Sequence, residues 1–243
     1  TLTITDDSIV ESSETIIVDI SGVSGGNSAS ENGNQQVTIT VSDNNDTASV
    51  TIADVSVSES AGTATVTLSL DNAVSGGFSL SFSTTNGTAN SGSDYTAVSS
   101  SNVNFSGTAG ETETVSITIS NDSISEGSET ITVGMSNSSS SSVAVTDTAT
   151  VTITDDEASP TVTLSASTTS PAENAGTVTL TATQSLAASS ATTVSLLPSG
   201  TATNGSDYSL SSSTITIAAG STSGTATLTI TDDSIVESSE TII

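Results

Sequence analysis

The chemistry open to this chain is that of carboxylates. Its 243 residues include 27 Asp and Glu but no Lys, Arg, His or Cys. Without His or Cys there is no Ser–His or Cys–His nucleophile pair, no imidazole or thiolate metal site, and no disulfide. Without Lys or Arg, nothing clamps a phosphate or neutralises a nucleic acid, so no nucleic-acid partner is expected. A lysine–asparagine crosslink is excluded as well. Two carboxylates can hydrolyse a glycosidic bond, but the acids here recur at repeated positions with no pocket signature, so no enzyme is expected. What remains is hard-cation binding. Ca²⁺ takes roughly six to eight oxygens, which Asp, Glu, Asn and backbone carbonyls supply. With a formal net charge of −27 and no internal counter-charge, the carboxylates either spread over solvated surface or are met by cations.

The acids recur because the chain repeats. Residues 1–17 and 227–243 both read TLTITDDSIVESSETII, an offset of 226. The continuation expected after Ile243 is therefore the segment beginning at Val18. A diverged repeat lies inside the first. ESAGTATVTLSL (59–70) resembles ENAGTVTLTATQ (173–184), and GTANSGSDYT (87–96) resembles GTATNGSDYS (200–209). ITISNDSISEGSETI (117–131) resembles LTITDDSIVESSETI (228–242), and ATVTITDDEASP (149–160) closes the domain as QVTITVSDNNDTASV (36–50) closes the other type. The expected organisation is the last part of a domain at 1–47, a complete domain at 48–157, and the first part of a second-type domain at 158–243, completed by the following copy.

The elements that must position these acids read as strands. Ala64, Val66, Leu68 and Leu70 share one face, as do Phe78, Leu80 and Phe82, and Val115, Ile117 and Ile119. Further rows are Ile131/Val133/Met135, Ala149/Val151/Ile153, Val178/Leu180/Ala182 and Ala226/Leu228/Ile230, separated by Gly, Ser, Asn and Asp clusters. Period-two alternation of this kind, with aromatics at 2% and no Trp, predicts short strands with Thr-rich outer faces around an aliphatic core. The fold expected is all-β, a linear array of tandem immunoglobulin-like sandwiches. No apolar run approaches the roughly 20 residues of a membrane span, so no membrane insertion is expected in this segment.

Four landmarks recur in fixed order: the SESAG or AENAG turn, GTA-x-x-GSDY, DDSI-x-E-x-SE, and the closing TITDD. Together they resemble the Calx-beta domain of sodium–calcium exchangers and of many large bacterial surface proteins. The resemblance implies a seven-stranded sandwich with Ca²⁺ held among acids at one end. In the complete domain it implies Glu59, Asp94, Asp122, Glu126, Asp155 and Asp156 as ligands, with Asn121 where an acid is usual. In the second-type domain it implies Glu173, Asp207, Asp232, Asp233 and Glu237. The amino-terminal part offers Asp6, Asp7 and Glu11, with Asp43 and Asp46 as closing acids. Two alternatives stand beside this. Asp94 and Asp207 could instead cap turns beside a packed Tyr, and Glu129 and Glu240 read as solvated strand positions.

These features predict a structural role: a repeat of an extracellular adhesin, stalk or filament, secreted or at the cell surface, stabilised by Ca²⁺. Its partners would be other copies of itself, head to tail, joined covalently in one long chain or by strand complementation between subunits. A Ca²⁺-sensing module is the alternative, though it needs an effector. So is a ligand-binding adhesin module, disfavoured because the only tyrosines are Tyr95 and Tyr208.

Overall fold

The computed structural model describes every residue except Asn45 and Glu237 and divides into two compact units. The first comprises Thr1–Val57, Ala61–Ser120 and Glu129–Ile153; the second comprises Ser58–Ser60, Asn121–Ser128 and Thr154–Ile243. Among the described residues the regular structure is strand, apart from single 3₁₀ turns at Glu59–Ala61 and Glu173–Ala175, the positions of the SESAG and AENAG motifs.

In chain order the strands of the first unit are β1 (Glu14–Asp19), β2 (Gln36–Val41), β3 (Ala48–Ile52), β4 (Val55–Ser58), β5 (Thr63–Leu70) and β6 (Phe78–Asn86). They continue with β7 (Ser101–Phe105), β8 (Thr112–Thr118), β9 (Glu129–Ser136), β10 (Val143–Ala144) and β11 (Thr148–Thr154). One sheet has the order β10-β3-β5-β8 and the other β4-β11-β9-β6-β7. The alternation written in the sequence puts Ala64, Val66, Leu68 and Leu70 of β5 in the interior, with Thr63 and Thr65 outside. Val66, Leu68 and Ile117 from one sheet meet Leu80, Phe82, Ile131, Val133 and Val151 from the other in a single core. Each such side chain contributes about 1.5–3 kcal/mol when fully buried. Phe78 and Phe105, paired across β6 and β7, stack at 5.1 Å. The result is an immunoglobulin-like sandwich.

The same unit carries β1 and β2 as a separate antiparallel hairpin. Its register sets Ile16 opposite Ile39 and Val18 opposite Val37, as β9 and β11 set Ile131 opposite Val151 and Val133 opposite Ala149. The β9/β11 set is buried, but Val18, Ile39 and Val37 are exposed, Val37 by 61%. The hairpin thus has the inner apolar row of a sandwich sheet, turned to solvent.

The second unit holds β12 (Val162–Ala166), β13 (Thr177–Gln184), β14 (Thr192–Ser195), β15 (Tyr208–Leu210), β16 (Thr214–Ile217) and β17 (Ser223–Ile230). Its sheets have the orders β12-β13-β17-β15 and β14-β16. Ala182, Ile215, Ile217 and Ala226 form one small core, and Val178, Tyr208 and Leu228 another. β6 is paired on both sides, by β7 and β9, whereas its counterpart β14 is paired only with β16. Beyond β14, Ser199 N–H donates to Ile243 O (2.8 Å) and Thr201 N–H to Thr241 O (2.9 Å).

A candidate cation site and its repeated loop

The acids fall into two kinds, and the first holds the backbone. Asp71 accepts from Ser49 N–H (2.7 Å), Ser49 Oγ (2.7 Å) and Asn72 N–H (2.6 Å). Although burial works against it, these bonds hold its carboxyl below the usual range. Glu111 accepts from Ser106 N–H (2.8 Å), Gly107 N–H (2.9 Å) and Thr108 N–H (3.2 Å), and the Ser106 bond foremost keeps it low as well. Asp147 and Asp54 accept from Ile52 N–H and Thr150 N–H. Carboxylates without a basic partner are thus met by backbone donors, an outlet that solvated surface and cations do not exhaust.

The GSDY segments belong partly to this kind. Asp94 Oδ2 accepts Asn90 N–H (2.6 Å), and Asp207 Oδ2 accepts Thr203 N–H (2.5 Å). Both acids cap turns, the structural alternative that the residues left open. Tyr95 beside the first is buried and donates its hydroxyl to Asn86 Oδ1 (2.7 Å); Tyr208 beside the second is buried too. Glu129 is half-buried, not the solvated strand position expected, and its carboxylate lies within 4.8 Å of that of Asp94. Glu240 is exposed, as expected.

The second kind gathers in the second unit. Glu59, Asp155 and Glu157 bring carboxylate oxygens within 4.8 Å of one another. Glu59 is 6% exposed. Its position is set by the 3₁₀ turn and by Asp122 N–H, which donates to Glu59 Oε1 (2.9 Å). Glu126 N–H donates to Asp155 Oδ2 (3.1 Å). Asp155 Oδ1 and Glu157 Oε2 are buried and have no hydrogen-bond partner. Burial, followed by the nearby Asp122, Asp155 and Asp156, pushes the Glu59 carboxyl up against the opposing Asp122 amide. Contact with Asp155, then burial, pushes Glu157 up. Three clustered carboxylates with two orphaned oxygens are a donor set suited to a hard divalent cation. Asp122 and Asp156 are exposed, and Asp156 stands outside the three-carboxylate group. Glu157 is a residue that the motif reading passed over. Its signal was the third acid of the run DDE.

The DDSI-x-E loop adopts one local form three times. Ile9 N–H donates to Asp7 Oδ1 (2.9 Å), Ile124 N–H to Asp122 Oδ1 (2.7 Å) and Ile235 N–H to Asp233 Oδ1 (2.6 Å). The contact from the opening acid recurs as Asp233 N–H to Glu173 Oε1 (3.2 Å). The contact to the closing acid recurs as Glu11 N–H to Asp43 Oδ2 (3.1 Å). The amino-terminal copy therefore has the loop and its closing acids, and the carboxy-terminal copy has the opening acid and the loop. Asn44 bonds Asp6 (2.6 Å). Burial and then neighbouring acids push up Glu11 and Asp46. Glu173, Asp232 and Asp233 are exposed, and Glu237 lies outside the described residues.

The sequence profile of the Calx-beta domain matches residues 1–54, 42–157 and 155–243. The chain belongs to the Calx-beta domain family. Each of the three Calx-beta matches contains one copy of the DDSI-x-E loop. Among solved structures, the apo-form Calx CBD1 domain is 24% identical, covering 45% of this chain and 98% of that one, with a TM-score of 0.42. CBD12 from CALX1.2 is 21% identical, covering 77% of each chain, also at 0.42. The calcium binding domain CBD12 of CALX1.1 is 19% identical, covering 75% of this chain and 76% of that one, at 0.39. No curated protein sequence matches the chain significantly. Among the described residues, no helix of this Calx-beta chain is long and apolar enough to cross a membrane.

Proposed function

We propose that this chain is a Ca²⁺-stabilised structural repeat of a long extracellular protein, a surface adhesin, stalk or filament of bacterial type, and that it is not an enzyme. The observation that carries the reading is the Glu59–Asp155–Glu157 group with its two orphaned oxygens. In a chain without basic residues, a divalent cation compensates such a group more fully than the two backbone amides on it or protonation. Glu59, Asp155 and Glu157 would hold it, with Asp122, Glu126 and Asp156 alongside. A second-type site would draw Glu173, Asp232, Asp233 and Glu237 from one copy and the equivalents of Asp43 and Asp46 from the next. Asp94 and Asp207 serve the site through their turns. Asp6, Asp7 and Glu11 repeat the ligands Asp232, Asp233 and Glu237.

Copies of itself are the partners this reading requires. This reading takes the exposed inner row of β1 and β2 and the edge of β14 as two parts of one sandwich, on the pattern of β9 and β11 beside β6; their matching register supports it. Both a continuous chain and strand complementation meet that need. A denaturing gel of the native material separates them: one very large polypeptide means a continuous chain, and a band near one 226-residue unit means donated strands. The cation is tested by thermal unfolding with Ca²⁺ and with a chelator. At free Ca²⁺ about 100 times the dissociation constant, each site adds about 2.7 kcal/mol. An unchanged melting temperature sinks the reading. Family membership favours a second reading, a Ca²⁺-sensing module. It predicts a large Ca²⁺-driven change in shape by small-angle scattering, where a structural repeat predicts stabilisation with little change.

A further inference from the structure

One contact occurs twice in the molecule, at equivalent places, and involves no cation ligand. In the first unit Val10 N–H donates to Ala73 O (3.0 Å) and Ser75 N–H to Val10 O (2.9 Å), a parallel bridge between Val10 and Val74. In the second unit Ser125 N–H donates to Ala187 O (2.8 Å) and Ser189 N–H to Ser125 O (3.0 Å), a parallel bridge between Ser125 and Ala188. Val10 and Ser125 hold the same position of the DDSI-x-E loop, and Ala73–Ser75 and Ala187–Ser189 the same turn after the long second strand of the domain. The receiving turn is built in advance. Val74 N–H is held by Gly107 O (2.8 Å), and Val74 O accepts Gly77 N–H (3.2 Å).

The two contacts differ in filling. Val10 is 3% exposed and joins the sandwich core with Val74. Ser125 brings no apolar side chain, and a cavity of about 310 Å³ opens beside it, lined by Glu126, Pro160, Gln184 and Ala188. The third copy of the loop has the same internal hydrogen bond as the other two. Its Ile235 and Val236 are 64% and 99% exposed. Val236 matches Val10 within seventeen identical residues, so it offers the same apolar side chain.

We infer that the turn at Ala73–Ser75 is a docking site for the DDSI-x-E loop of a preceding domain, and that the exposed loop Asp232–Val236 docks on this turn of a second copy of the chain. This rests on the reading of the chain as one copy in an array, but it does not depend on Ca²⁺. Two backbone bonds set the register, and one valine side chain supplies apolar burial. The loop already holds the internal hydrogen bond of the two contacting copies, from Ile235 N–H to Asp233 Oδ1 (2.6 Å), so it loses less freedom on docking. In an isolated copy the chain's own Val10 occupies the turn at high effective concentration.

The chain has no cysteine, so thiol trapping reads this contact cleanly. A chain carrying Val10→Cys and Val74→Cys should close an intrachain disulfide on mild oxidation, which checks the receiving geometry. For docking between copies, a Val10→Pro/Val74→Cys chain is mixed with a size-tagged Val236→Cys chain, with Ca²⁺ and physiological salt to screen self-repulsion. Proline removes the Val10 N–H and vacates the turn. The expected result is a heterodimer about tenfold above that of a Val10→Pro/Thr163→Cys control, falling to the control level when Val10 is restored. A heterodimer at the control level, or one indifferent to Val10, overturns the inference. Failure of the intrachain disulfide overturns it as well. A missing Ca²⁺ shift in the melting temperature with trapping intact would sink the cation reading alone.

Discussion

Acidic side chains of one charge and similar length do opposite work here, according to what they face. Glu111 and Asp71 face backbone N–H groups, which favour their ionised form. A carboxyl held below its ordinary value contributes stability above that value, and the contribution is lost as pH falls through the folded-state value. For Glu111 the loss begins near 4.5 and for Asp71 near 3.8, continuing below. Thermal unfolding between pH 5 and 3 (roughly the span of the ordinary carboxyl values) should show this decline, and Glu111→Gln should flatten part of it while lowering stability at neutral pH. Glu59 accepts one backbone amide, that of Asp122, but also faces Asp155 and Glu157. Glu59→Gln keeps an oxygen for the Asp122 amide and removes a buried charge. Its melting temperature in chelator should equal or exceed that of the parent. The Ca²⁺ increment should shrink by up to about 2.7 kcal/mol at saturating ion. A full increment in the variant would remove Glu59 from the ligand set.

Among the elements, turns carry as much of the specificity as strands. The strands are built from interchangeable Thr/Val alternation, which rules out a slip by one residue but not by two. The turn at Val74 admits fewer solutions. Gly107 sits at φ +92, and a Cβ there would overlap the Val74 carbonyl oxygen. Gly107→Ala should therefore destabilise the first unit by roughly 1–3 kcal/mol through forced backbone strain. Chemical denaturation followed by far-ultraviolet circular dichroism measures this, and a neutral result would mean that the turn yields at little cost. The same substitution should loosen the Val10 contact, seen as faster hydrogen exchange at the Ser75 amide.

At the scale of the molecule, the β1–β2 hairpin and β14 each differ from their counterparts in the first sandwich. The β1–β2 hairpin exposes Val18, Ile20, Val37 and Ile39, an apolar row that a complete sandwich buries. Among the described residues β14 pairs only with β16, whereas its counterpart β6 also pairs with β9, the counterpart of β1. In a chain of two consecutive repeats, the inner copy of Ile17 and Asp19, on the edge of β1 away from β2, should show slow amide exchange, while the outer copy exchanges as in the single repeat. Equal exchange in both copies would argue against completion of one repeat by the next.

Much of this was legible in the residues alone. Period-two alternation placed Val66, Leu68, Phe82, Ile131 and Val133 on inner faces, because a pleated strand leaves no other arrangement for such a row. Family membership was legible in the order of four short motifs. The partners of each acid were not legible, since hydrogen bonds between residues far apart in sequence depend on which loops a sandwich brings to one end. Asp122 and Glu59 are 63 positions apart and Glu126 and Asp155 are 29 apart, and no local pattern records either contact. Nor does any local pattern separate Asp94, capping its own turn, from Asp155, with an orphaned oxygen in a buried group. Composition determined that the charge of this chain needs an answer. Tertiary structure decided which carboxylates stand alone on backbone amides and which are gathered into one group with orphaned oxygens, because burial and donor geometry exist only once the sheets have packed.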